Sequence, residues 1–216
     1  MILAAERAAV CEFARRMSAD GLAVGTSGNV SARSGELVAV TPTGVDYATL
    51  TPEDVPVVGL GGTVVAGSLR PTSELPMHLS VYRDAADPGG RPITAVVHTH
   101  SVHATAVSTL VPEVPPIHYM LAAIGPSVRV AAYATYGTAE LAAAMLVALR
   151  GRRGCLLANH GTITYGEDLA SAYSRAQQLE WVCQLWLLAR SAGTPALLPP
   201  EEIEHVVDKL RGYGQR

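Results

Sequence analysis

Three histidines fall within the otherwise small and apolar stretch ITAVVHTHSVHATAV, residues 93–107. An imidazole in such surroundings must be solvated, hydrogen-bonded or bound to something. His98 and His100 are two positions apart. On a strand that spacing puts both side chains on one face, with Cα atoms about 6.6 Å apart. Bonds from zinc to histidine nitrogen are about 2.0–2.1 Å, so two imidazoles at that separation can converge on one ion. His160 follows an apolar run in CLLANHG, 155–161, at a turn that exposes it. Two ligands from one strand and a third from the end of another make a workable three-histidine site. His103 falls in the following helix, out of register, and is not counted. The competing reading is ordinary histidines, hydrogen-bonded at the rim of a core.

A second constellation accompanies the first. GTSGNVS (25–31), TPTG (41–44) and RPTSE (70–74) are three separate loops dense in Gly, Ser and Thr. Their amides and hydroxyls could hold a phosphate without lysine. The third loop ends in Glu74, a carboxylate beside that anion site. Plain turns and a surface glutamate are the competing reading.

The elements that must position these residues follow from periodicity and turn chemistry. Helical spacing runs over 2–19, with Gly21 as a stop. The 25–33 loop leads into a strand; 36–40 is a strand, and 54–67 is two short strands around Gly-Gly. Residues 71–83 start with Pro and hydroxyl residues and turn helical. Residues 93–100 form a strand and 101–110 a helix with Ser101 near its cap. A strand over 128–133, a helix over 138–150 and a buried strand over 155–161 follow. A long helix over 168–190 and a short one over 200–211 complete the chain. Trp181 and Trp186 on the long helix suit a core position or an interface. Strands and helices alternate without linker or repeat, which favours one α/β domain over 1–216.

Composition excludes several classes. The 216 residues are 49% hydrophobic and 16% charged, enough to bury a core without disulfides or a structural metal. A net charge of −3 and 5% aromatic content argue against nucleic acid or an anionic membrane as partner. Three cysteines with no CxxC pair fit a reduced, cytoplasmic setting. No run of about 18 apolar residues marks a membrane span, and Glu6 and Arg7 interrupt any secretory leader.

The ordered set GTSGNVSAR, TPTGVDYATLTPEDV, PTSE, AVVHTHSVHATAVS, IHYM, YATYGT, NHGTITYG and KLRGYG resembles the class II aldolase family, most closely its fuculose-phosphate aldolase branch. The resemblance covers nearly the whole chain. It implies a three-layer α/β/α sandwich with a mixed, mostly antiparallel central sheet. It implies a reversible lyase that cleaves L-fuculose 1-phosphate to dihydroxyacetone phosphate and L-lactaldehyde through a zinc-stabilised enediolate. Carried over, one Zn2+ per subunit is held by His98, His100 and His160, with Glu74 as fourth ligand without substrate and as acid/base with it. The phosphate sits among Thr26, Gly28, Asn29, Thr43, Gly44, Thr72 and Ser73. Tyr119 reaches in from a neighbouring subunit of a homotetramer, with its hydroxyl serving the aldehyde oxygen. Tyr213 closes the site, and Tyr136 lines the aldehyde end.

Some residues depart from the closest pattern. PTSE stands where Ser-Ser before the glutamate is expected, and Thr72 keeps the hydroxyl. Tyr136 stands where phenylalanine would be unremarkable. Pentulose-phosphate 4-epimerases of the same fold need an acidic residue near IHYM, and PPIHYMLAAIG has none. Methylthioribulose-phosphate dehydratases share the fold and the zinc. Non-enzymatic scaffold relatives have lost the ligands, whereas Glu74, His98, His100 and His160 are all present here.

Overall fold

A computed structural model describes residues 1–210. Helix α1 (Ala4–Ala19) buries Val10, Phe13, Ala14 and Met17, the helical spacing seen in the sequence. Strands β1 (Asn29–Ser34), β2 (Leu37–Val40), β3 (Val57–Gly59) and β4 (Val64–Ala66) follow, then α2 (Leu75–Asp84), β5 (Ala95–Thr99) and α3 (Val102–Ser108). Next come β6 (Glu113–Val114), a 3-10 turn (Tyr119–Ala123), β7 (Val128–Ala131), α4 (Ala139–Leu149), β8 (Gly154–Leu157), β9 (Gly161–Gly166), α5 (Leu169–Ala192) and α6 (Pro200–Leu210).

The nine strands form one sheet in the order β4-β3-β2-β1-β5-β9-β8-β7-β6. Only β7 and β8 pair in parallel, so the sheet is mixed and mostly antiparallel as expected. Helices α2 and α4 cover one face, where Met77, Val81, Leu141 and Met145 pack on Val96, Ile163 and Tyr165. Helices α1 and α5 cover the other, where Val10, Met17, Tyr173 and Ala176 pack on Val30, Ala95 and Val97. This is the three-layer α/β/α sandwich.

Strand β5 lies in the middle, and every one of its residues is buried. Antiparallel pairing sets Asn29 opposite His98 and His98 opposite Ile163. Paired residues share a face, so Asn29, Ser31 and His98 all project toward α2. The long helix α5 buries Trp186, while Trp181 is half-exposed.

Sequence periodicity missed three elements. The strand foreseen over 155–161 ends at Leu157, and a separate strand begins at Gly161. Gly161 reads as a turn residue by type, but its role is close approach: a Cβ there would overlap the Thr99 carbonyl of β5. Strand β6 has two residues, too few to show alternation, and the 3-10 turn follows a Pro-Pro-Ile-His segment with no helical period. Ser101 does precede α3, but its side chain makes no capping hydrogen bond.

Because Gly161 lets β9 seat on β5 directly after His160, Gly161→Ala should destabilise the protein by about 3 kcal/mol. Chemical denaturation measures this. A variant as stable as the parent would show that the strand end relaxes freely.

Candidate active site

The C-terminal end of β5 delivers His98 and His100, the turn between β8 and β9 delivers His160, and Glu74 stands immediately before α2. His98 Nε2 lies 2.9 Å from His100 Nε2 and 3.0 Å from Glu74 Oε2. His160 Nε2 lies 3.1 Å from His100 Nε2 and 3.1 Å from Glu74 Oε1. The rings meet edge to face, with centroids 4.7–4.9 Å apart. Each residue offers one ligand atom, and the four atoms lie within 4.8 Å of one another.

Proton counting tests whether a cation fits. His98 Nδ1 is 2.7 Å from the Thr162 carbonyl, which only accepts, so Nδ1 carries a proton. In the neutral ring, Nε2 then presents a bare lone pair to a carboxylate and to a second imidazole. One divalent ion satisfies all four atoms at once, and three nitrogens with a carboxylate oxygen are a zinc-type donor set. Glu74 is buried, contrary to the surface position usual for its type. Burial alone would push its carboxyl up, but charge on His98, once that ring takes a second proton on Nε2, and hydrogen bonds from His160, His98 and Asn29 hold it well below the usual carboxylate range. Burial also disfavours charge on His98, yet the Glu74 carboxylate outweighs that and raises it. Burial, reinforced by His98 and His160, lowers His100 to about 3, leaving its lone pair available.

The cluster opens into a cleft of about 420 Å³ lined by Thr26, Gly28, Asn29, Thr43, Gly44, Thr72 and Ser73 together with Glu74, His100 and His160. The three Gly/Ser/Thr loops are zipped to one another. Pro42 bridges Pro71, Thr43 N–H donates to the Arg70 carbonyl (3.0 Å), and Thr72 N–H donates to the Thr41 carbonyl (3.0 Å). Tyr47 Oη donates to the Gly28 carbonyl at 2.6 Å. With those two amides engaged, Thr43 and Thr72 have hydroxyls to offer an anion. Thr72 Oγ1 accepts from Glu74 N–H at 3.2 Å and keeps its own hydrogen free to donate. Gly28 has φ +70°, and a Cβ there would sit 2.9 Å from the His98 carbonyl. Asn29 lines the cleft, but its side-chain amide is engaged at both ends, by Glu74 and by His78. Among the described residues no lysine or arginine lines the cleft.

Other expected residues lie elsewhere. Tyr136 lines the cleft and is exposed. Tyr119, in the 3-10 turn, is 51% exposed and outside the cleft of its own chain. Tyr213 lies outside the described residues. His103, set aside in the sequence, pairs with Glu180 at 2.6 Å. Sequence reasoning missed Tyr133 and Asn159, which also line the cleft. Tyr133 opens the same YATYGT segment that carries Tyr136. Asn159 has φ +57°, a left-handed turn that asparagine tolerates and that aims His160 inward.

Residues 8–187 match the family described as the Class II Aldolase and Adducin N-terminal domain. The chain is 40% identical over 218 residues to 5-deoxy-D-ribulose 1-phosphate aldolase of Bacillus thuringiensis, covering 100% of both. It is 40% identical over 198 residues to L-fuculose phosphate aldolase of Escherichia coli K12, covering 91% of this chain and 89% of that one. A solved L-fuculose 1-phosphate aldolase superposes with a TM-score of 0.92 at 36% identity, over 98% of each chain.

Chelated protein should take up one divalent cation per chain, with a gain of several degrees in Tm. His100→Ala should weaken that uptake at least about tenfold, read by competition with a chromophoric chelator. Equal affinity in the variant would remove His100 from the ligand set.

Proposed function

The chain belongs to the class II aldolase and adducin N-terminal domain family, and its relatives above are aldolases, which are lyases; on that premise we propose that it cleaves a ketose 1-phosphate reversibly to dihydroxyacetone phosphate and a short aldehyde. The observation that carries this reading is the Glu/His3 cluster opening onto a cleft of hydroxyls and glycines. We assign Zn2+ as the ion, held by His98, His100 and His160 with Glu74 as the exchangeable fourth ligand. When bound, it supplies the Lewis acidity that favours negative charge developing on the substrate oxygens as the carbon–carbon bond breaks.

The residues of the chain then have separate tasks. Hydroxyls and amides of Thr26, Gly28, Thr43, Gly44, Thr72 and Ser73 hold the phosphate, and that remote binding energy fixes the reacting carbons. In cleavage, the hydroxyl next to the breaking bond gives up its proton as it becomes the aldehyde. Tyr119 of a neighbouring subunit is the group assigned to exchange that proton. Its exposure and its position outside its own cleft support a role in trans, within a homotetramer. Glu74 returns a proton to the carbon left on the dihydroxyacetone phosphate half, and removes it in the synthetic direction. Tyr136 lines the aldehyde end, and Tyr213 is assigned to closing the site.

Two substrates compete. L-Fuculose 1-phosphate follows from the motif resemblance. 5-Deoxy-D-ribulose 1-phosphate is favoured by a relative that matches this chain from end to end. Both yield a methyl-terminated aldehyde. No described helix is long and apolar enough to cross a membrane, and the three cysteines are free and buried. Both features accord with a cytoplasmic enzyme.

The test is release of dihydroxyacetone phosphate from each sugar by protein as purified, after chelation and after zinc is restored. Activity should vanish and return, and Glu74→Gln should keep zinc while losing about 100-fold or more in turnover. Metal-loaded protein that cleaves neither sugar would defeat the aldolase reading, and near-normal turnover in Glu74→Gln would defeat the assigned acid/base.

A further inference from the structure

Behind Glu74 runs a line of buried polar side chains to which the reaction assigns no task. Asn29 Nδ2 donates to Glu74 Oε2 at 2.9 Å. Asn29 Oδ1 is 2.6 Å from His78 Nε2, His78 Nδ1 is 2.7 Å from Ser31 Oγ, and Ser31 Oγ is 2.7 Å from Tyr82 Oη. Ser31 and His78 are fully buried, and Asn29 and Tyr82 are 4% and 6% exposed. Apolar side chains of similar size would fill this space without four hydrogen bonds to satisfy. The line starts on β1 and α2 and ends on one oxygen of one carboxylate.

The hydrogens in this line can be assigned in one direction. The carboxylate only accepts, so Asn29 must turn its NH2 to Glu74 and its Oδ1 to His78. Oδ1 only accepts, so His78 carries its proton on Nε2. Nδ1 of the neutral ring is then an acceptor, and the Ser31 hydroxyl donates to it. Tyr82 Oη donates to Ser31, with Oγ at 2.7 Å and the carbonyl at 3.1 Å. Every donor points toward Glu74. The opposite tautomer of His78 would turn Asn29 Oδ1 against the carboxylate, acceptor to acceptor.

We propose that His78 is a positioning residue for Glu74. Its Nε2–H tautomer, accommodated by the Ser31 hydroxyl at Nδ1, locks the Asn29 amide, which holds Oε2 and leaves Oε1 toward His160 and the cleft. The inference rests on the reading of Glu74 as the carboxylate that binds the cation and moves the proton.

The test compares His78→Asn, too short to keep a donor at the Nε2 position, with His78→Gln, whose amide NH2 can reach Asn29 Oδ1. Zinc affinity is read by chelator competition, and kcat and KM by dihydroxyacetone phosphate release. His78→Asn should weaken zinc about tenfold and lower kcat about tenfold, with KM within about threefold. His78→Gln should recover most of both. Equal impairment in the two variants, or wild-type affinity and kcat in His78→Asn, would overturn the proposal. If His78→Asn does not fold, Ser31→Ala decides: a lower kcat at unchanged KM with weaker zinc supports the relay, and no change in either overturns it. Zinc affinity is measured without any sugar phosphate. A chain that cleaves nothing but loses affinity in His78→Asn and regains it in His78→Gln therefore defeats the aldolase reading and keeps the relay.

Discussion

The site depends on holding a carboxylate and three imidazole nitrogens within 4.8 Å of one another at the end of a buried central strand. Those groups are costly to hold together: imidazole nitrogens face one another, and a desolvated carboxylate draws a proton onto His98 unless a cation takes its place. Something rigid must keep them together. Strand β5 serves because β1 and β9 flank it and helices cover both its faces, so its end cannot drift. The two glycines beside the cluster follow from the same demand. Gly28 brings its loop against the His98 carbonyl, and Gly161 brings β9 against the Thr99 carbonyl. At either position a side chain would move a ligand.

Charge is distributed in the cleft so that one strong centre is not blurred by others. Three histidines would add no anionic charge to a bound dication, and Glu74 is the single carboxylate of the cluster. A lysine or arginine beside the phosphate loops would repel the cation across a short, poorly solvated gap. Hydroxyls and peptide dipoles bind an anion without that penalty, and their loops are already tied together through Pro42, Pro71, Thr43, Thr72 and Tyr47. The relay from Tyr82 to Asn29 extends the principle: it fixes Glu74 with neutral donors.

Much of this was legible in the residues. The two-residue spacing of His98 and His100 is a strand property, and it put both on one face without reference to anything distant. The Gly/Ser/Thr loops announced themselves by composition. Contacts between elements were not legible. Nothing around Glu74 in RPTSE tells that it is buried against β5. Asn29 read as a loop residue of the anion site, and its amide proved to be committed to Glu74 and His78. His78 sits in an ordinary helical stretch, MHLS, and acquires meaning only because α2 packs over Ser31 and Asn29. Strand β9 was hidden because a glycine needed for close approach looks, by type, like a glycine needed for a turn.

The residues that line the cleft are not equally buried, and this bears on which of them could differ between relatives named for different sugars. Thr72, Glu74 and Asn29 are all under 10% exposed, whereas Thr26, Gly44 and Ser73 of the same loops are exposed. Tyr133 and Tyr136, also on the cleft, are each 66% exposed. Buried, hydrogen-bonded groups tolerate little change, because altering one leaves its partners unsatisfied. Exposed aromatics can be exchanged at small cost to stability. Tyr133 and Tyr136 are therefore freer to vary than Asn29, Thr72 and Glu74. Within the single chain these tyrosines stand uncovered. Under the assembly proposed above, Tyr119, exposed and remote from its own cleft, is the residue that would cover them from a second copy.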